Sequence, residues 1–253
     1  MKQDLISVKK TICDVAHEVW NQGLIDFPDA NISMLLDFDG RKAFLATSTE
    51  SDKRVLTPDS IRIYNENGQE IDSSGNPVTA NNKKPTKDLN IHLGIYDATD
   101  YNAKAVLHTH GFYAMLYAAA FSGKGFNHPL GRLDERDAYL SIDQARLGKV
   151  AIMAPDSSGT NTIETCVSAF AVNSRIILVP TSGSYIYSTI DNPEKALWNC
   201  LYAARNLEKW AKHYLPASFE FAGDKILRET FEKYKDASRG ELPLFEQMKN
   251  SGV

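Results

Sequence analysis

Apolar residues recur at three- and four-residue spacing along the first stretch of the chain, at Leu5, Val8, Ile12, Val15, Ala16, Val19 and Trp20. That period predicts an amphipathic helix from Leu5 to Leu24, closed by Gly23. The pattern then changes. Asn31 to Phe38 and Lys42 to Thr47 flank the turn pair Asp39-Gly40, which predicts an antiparallel hairpin. Thr57-Pro58-Asp59 marks the start of a helical turn, and Ile61 to Ile71 carries another hairpin turn at Asn67-Gly68. Asp72 to Lys84 offers nothing to bury and is expected to be a loop. A helix opened by Pro85 or Thr86 follows, with Leu89, Ile91, Leu93, Ile95 and Tyr96 as its apolar positions.

The second half alternates strands and helices. Ala105 to Leu107 reads as a buried strand, and Phe112 to Phe121 as a helix apolar enough to be almost wholly buried. Lys124 to Leu147 is a long polar connection containing His128 and Tyr139. Val150 to Ala154, Ile176 to Val179 and Tyr185 to Ser188 are expected strands, with a helix from Thr160 to Val172 between the first two. Asn192-Pro193-Glu194 opens the clearest helix, running to about Tyr214 and ended by Pro216. Lys225 to Tyr234 reads as a last short helix, and Ser238 to Val253 as an arm.

Composition narrows the class. The 253 residues are 43% hydrophobic and 24% charged, as expected of a globular chain that buries a sizeable core. A formal net charge of -4 with mixed signs gives no basic stripe for nucleic acid, and no apolar run approaches the roughly 20 residues that span a bilayer. Met1 to Lys10 lacks the apolar centre of a signal peptide, so the expected location is the cytoplasm. Cys13, Cys166 and Cys200 are far apart and form no CxxC pair, which predicts buried thiols.

The candidate chemistry lies in Ala105-Val106-Leu107-His108-Thr109-His110-Gly111. On a strand, period-two alternation sends His108 and His110 to one face and Thr109 to the other. Two imidazoles then point at one spot, an arrangement that supplies half or more of the ligands of a divalent metal site. Asp88 and His92, four apart on the preceding helix, are expected to share a face. A carboxylate there equally suits the positive end of the helix dipole.

Taken in order, these motifs resemble the class II aldolase/adducin family. The resemblance rests on Asn31-Ile32-Ser33, Leu56-Thr57-Pro58-Asp59, Pro85-Thr86-Lys87-Asp88 with His92, and the His108-Thr109-His110 strand. It continues through Ala154-Pro155, Ser158-Gly159-Thr160 and Ser182-Gly183 to Glu194 and Tyr214, and so spans about residues 5 to 215. It implies one α/β/α layered domain over residues 1–253 with a central, mostly antiparallel sheet, and an arm from about residue 238. It also implies a homotetramer with its sites at subunit boundaries.

The resemblance further implies a metal, zinc first among the divalent ions, on His108, His110 and Asp88, with Asp88 also moving a proton and Tyr139 near the position of a proton-donating tyrosine. The family's third imidazole precedes a glycine on a late strand, and that position is Ser182 here. A neutral hydroxyl is a poor zinc ligand, so weakened or absent metal binding is expected. The phosphate-binding positions implied are Asn31, Thr47, Ser48, Thr86 and Lys87. Two departures stand out: Glu50 replaces the glycine of the phosphate turn, and Ala30 replaces the glycine before Asn31. The function implied is metal-dependent, reversible C–C cleavage of an anionic sugar phosphate or related hydroxy-carbonyl compound. The alternatives are an epimerase or decarboxylase of the same family, or an adducin-head-like binding module in which the histidines are remnants.

Overall fold

The computed structural model describes residues 5–25, 30–38, 40–48, 51–78, 85–121, 150–152, 163–179 and 182–212. Helix α1 (Leu5–Asn21) ends where Gly23, at φ 65, takes the left-handed conformation that closes a helix cheaply only as glycine. Strands β1 (Asn31–Phe38) and β2 (Arg41–Thr47) form the expected hairpin, with Gly40 at φ 82 in its turn. A 3-10 turn (Pro58–Ser60) leads into β3 (Ile61–Tyr64). Helix α2 (Leu89–Ala98) precedes β4 (Ala105–Thr109), and α3 (Phe112–Phe121) follows it. Then come β5 (Val150–Ile152), α4 (Ile163–Ala171), β6 (Ile176–Val179), β7 (Gly183–Ser188) and a helix α5 whose described part covers 193–212.

The seven strands form one sheet in the order β3-β2-β1-β4-β7-β6-β5, antiparallel throughout except for the β5–β6 pair. Alternation sorts its side chains into two cores. Ile32, Met34, Leu45, Leu107, Leu178 and Ile186 pack with α1, α3 and α5 on one face. Leu35, Phe44, Val106, Ile177, Tyr185 and Tyr187 pack with Leu89, Ile91, Ile95 and Tyr96 of α2 and Val167 of α4 on the other. This is the α/β/α sandwich that the resemblance implies. The sheet buries both faces, so a one-residue slip of β4 would exchange Leu107 with Val106 between cores and send His108 to the α1 side. The packing that fixes the register therefore also aims the histidine.

Four expectations are corrected. Helix α2 begins at Leu89 rather than at Pro85 or Thr86, because Asp88 (φ -93, ψ 11) stands outside the helix as its N-cap residue. Helix α3 is not wholly buried: Ala114, Tyr117 and Ala118 sit in the core and Tyr113 and Leu116 pack against it, but Phe112 is 57% exposed. Strand β7 begins at Gly183, two residues before the aromatic run that signals it. The segment after Asp72 is not all loop, because Ile71 bridges Pro77 around a turn held by the Asp72 carboxylate, which accepts from the Ser74 and Asn76 amides. Tyr139, His128, Glu50 and the segments 124–147, 225–234 and 238–253 lie outside the described residues.

Candidate active site

Three neighbouring strands bring a row of polar side chains to the α2 face of the sheet. Asn31 of β1 pairs with His108 of β4, and His108 pairs with Tyr185 of β7. Directly opposed residues on one face lie within side-chain reach, so register alone makes Asn31, His108 and Tyr185 neighbours. His108 is 2% exposed. Its Nδ1 lies 3.1 Å from the Ser184 carbonyl, which can only accept, so Nδ1 carries the proton and Nε2 presents a lone pair. Burial first, then His110 and His92 nearby, hold the ring's pKa well below the ordinary value, so it is neutral and fit to bind a cation.

His110 follows the strand end, its amide donating to the Leu24 carbonyl at 3.1 Å. Its Nε2 lies 2.9 Å from His108 Nε2. Glu208 of α5 steadies this corner from below, accepting from the Tyr113 and Ala114 amides at the start of α3 at 2.8 and 2.9 Å. Gly183 closes it from the side. A Cβ there would lie 2.2 Å from the Thr109 carbonyl oxygen, 3.0 Å from His108 Cε1 and 3.1 Å from His110 Cδ2, and φ is 85. Glycine is the one residue that lets β7 pass this close to both imidazoles.

Asp88 arrives from the facing layer. An aspartate at an N-cap usually accepts from its own helix, but this one makes no such bond. Its Oδ2 accepts from Asn31 Nδ2 at 2.5 Å and lies 3.6 Å from His108 Nε2. Asn31 is held in turn by the Thr86 hydroxyl, which donates to its Oδ1. The helix-dipole account of Asp88 is thus insufficient, since the carboxylate is turned away from the helix end and toward the imidazole pair. Ala30 is 1% exposed and keeps a negative φ, as the left-handed non-glycine residues among those described are Asp100 and Tyr101.

The other expected site residues divide. Lys87 is exposed and immediately precedes Asp88. Thr47 and Ser48 are buried with their hydroxyls used inside the fold: Thr47 accepts from the Ile32 amide at 3.2 Å, and Ser48 donates to the Ser60 carbonyl at 2.9 Å. His92 lies near His108 on the α2 side of the sheet, edge-on to Tyr185. It is fully buried, with Nδ1 2.8 Å from the Ser33 hydroxyl, which lies 2.9 Å from the Tyr96 hydroxyl. The residue that sequence reasoning missed is Tyr185, whose ring stacks on His108 with centroids 4.2 Å apart and planes 15° apart. The alternation of Tyr185 and Tyr187 was visible, but not that β7 would run beside β4.

Burial pushes the His92 pKa down from 6.5 to about 3. Because the unfolded state takes up this proton and the folded state does not, stability is fully present above pH 6.5 and falls as pH drops toward 3. His92 is expected to cost about 2 kcal/mol of stability between pH 6.5 and 5, at about 1.4 kcal/mol per pH unit. Urea unfolding at the two pH values measures this, and equal free energies would contradict it.

A divalent cation suits the pair, because two imidazoles converge through Nε2 and the main chain fixes the tautomer of His108. Among the described residues no group of three His, Cys, Asp or Glu side chains is arranged to hold a metal ion, so such a cation would keep positions open to solvent or substrate. Ser182 stands in the turn immediately before Gly183, its amide donating to the Val179 carbonyl at 3.0 Å.

A three-layer α/β protein with an imidazole pair at a central strand end and a carboxylate facing it is the class these features define. The chain belongs to the family of the class II aldolase and adducin N-terminal domain, whose model matches residues 10–215. It is similar in structure to L-fuculose-1-phosphate aldolase from Thermus thermophilus, with TM-score 0.65 and 21% identity over 87% of this chain and all of that one. It is likewise similar to YgbL of Escherichia coli, described as an aldolase/epimerase/decarboxylase, with TM-score 0.63 and 18% identity over 89% and 98% of the two chains. At these identities the likeness establishes the fold. In sequence it is 29% identical over 100 residues to a methylthioribulose-1-phosphate dehydratase of Bacillus cytotoxicus, a match covering 40% of this chain and 42% of that protein. Among the described residues no helix is long and apolar enough to cross a membrane.

Proposed function

We propose that this chain is a metal-dependent lyase that breaks a bond beside the carbonyl group of an anionic hydroxy-carbonyl compound, of the sugar-phosphate type, in the cytoplasm. The observation that carries the reading is the Asp88 carboxylate, which forgoes its helix and faces His108 at 3.6 Å. His108 and His110 would hold the cation, zinc first among divalent ions, and a cation there supplies Lewis-acid polarisation of the carbonyl oxygen. Asp88 is the group placed to take up or return the proton on the carbon next to that carbonyl. Asn31 fixes the carboxylate through its short hydrogen bond and Thr86 fixes Asn31, so the acid–base group is held in place before substrate enters. Lys87 offers a point charge for the substrate's anionic group.

In cleavage the Asp88 carboxylate would take the proton of the β-hydroxyl as the C–C bond breaks, and return it to the carbon left with the electron pair. The partial match to a dehydratase supports one second reading, in which Asp88 first takes the proton of that same carbon and then returns it to the β-hydroxyl, which leaves as water as the double bond forms. Exposed Phe112, Trp198 and Tyr202 support burial between copies in a homotetramer.

Both chemistries share the proton step. Zinc-loaded protein in D2O is expected to exchange a carbon-bound proton of dihydroxyacetone phosphate, followed by NMR, and Asp88→Asn to slow that exchange about 100-fold or more. Exchange at an unchanged rate in the variant would remove Asp88 from the mechanism.

A further inference from the structure

The polar row on the α2 face contains one group that neither the fold nor the proposed chemistry uses. Tyr185 is fully buried, yet its hydroxyl has no hydrogen-bond partner of ordinary geometry. A buried phenol normally finds a partner, and leaving one without costs roughly 1–3 kcal/mol, so the exception points to something absent from the polypeptide itself.

The position of the ring says where that partner belongs. Tyr185 lies on the side of His108 away from Asn31, because β4 runs between β1 and β7. Its ring is held flat against the imidazole and edge-on to His92, with centroids 6.2 Å apart in the second contact. Asn31 engages Asp88 from one flank of His108, and the phenol stands on the other flank with its hydroxyl unengaged. Ser182 lies beside that hydroxyl without a hydrogen bond of ordinary geometry, and the stack on His108 puts the ring at the edge of the same site.

We propose that Tyr185 is a substrate-positioning residue, whose buried hydroxyl donates a hydrogen bond to an oxygen of the hydroxy-carbonyl compound bound against His108 and His110. The proposal rests on the functional reading above for the class of ligand, and on the stacked geometry and the unengaged hydroxyl for the residue.

Tyr185→Phe removes one oxygen and keeps the ring, so the stack on His108 and the packing against His92 are preserved. Calorimetric titration of the full chain with zinc, and then of the zinc-loaded protein with dihydroxyacetone phosphate, tests the assignment. The expected result is a melting temperature and a zinc affinity close to those of the unsubstituted protein, with the dissociation constant for dihydroxyacetone phosphate raised about 3- to 10-fold. Equal dissociation constants in the two proteins would make Tyr185 a packing residue and overturn the proposal. An unsubstituted protein that takes up zinc but does not bind dihydroxyacetone phosphate overturns it as well, while leaving the metal reading standing. If the unsubstituted protein takes up no zinc, the metal reading fails instead. The phosphate titration of the metal-free proteins then decides Tyr185 by the same comparison, and absence of binding in both counts against it.

Discussion

Replacing His108 and His110 together by alanine is expected to reduce zinc uptake from about one ion per chain to none. The reason is the convergence of the two Nε2 atoms at 2.9 Å, in a corner where the remaining side chains are a hydroxyl and a carboxylate already bonded to Asn31. Losing both imidazoles leaves a cation no nitrogen donor, and a single aspartate in water holds zinc weakly. Some stability should be lost too, since the Ser184 carbonyl loses its donor and Tyr185 its stacking partner. Backbone pairing between β1, β4 and β7 does not depend on these side chains, so the circular dichroism spectrum should be unchanged. Elemental analysis of the purified variant gives the answer, and zinc retained at the unsubstituted level would place the metal elsewhere.

Gly183→Ala is expected to destabilise the protein by about 3 kcal/mol or more, a large effect for adding one methyl group. Two causes act together. A left-handed φ costs an alanine roughly 1–2 kcal/mol. The new Cβ would also lie 2.2 Å from the Thr109 carbonyl oxygen, a backbone atom that cannot turn aside. Relief requires β7 to back away from β4, and overpacking of this kind adds roughly 1–3 kcal/mol. In a domain of this size the sum corresponds to a fall in melting temperature of about 6–12 °C. The same methyl would press on both imidazole rings, so zinc affinity should fall with stability. A variant melting within 2 °C of the unsubstituted protein would show that the strands are not so tightly apposed.

The two expected effects bear on different parts of one design. In the proposed site the histidines would hold the cation, and Gly183 provides the space in which they meet. Glu208 belongs to the second group as well, because a Cβ on Gly111 would come within 2.6 Å of its carboxylate. The two glycines that flank the site in sequence and space are therefore explained by close approach.

Local patterning determined much of the architecture. The Asp39-Gly40 turn marked the hairpin that contains β1, a short apolar run marked β6, and three- and four-residue spacing marked α1 and α5, because each signal lies within the element's own residues. The imidazole pair was legible for the same reason, since His108 and His110 are two apart at the end of a strand, where alternation turns both to one side. Strand order across the sheet was not legible from this patterning, as hydrogen bonding between strands leaves no periodic trace in either one. Hence only the tertiary structure could set Tyr185 beside His108, turn the Asp88 carboxylate from its helix to Asn31, and send His92 to Ser33 instead. The polar residues of this site were available to the eye in the sequence, whereas their partners were chosen by the register of three strands brought together from positions more than 70 residues apart in the chain.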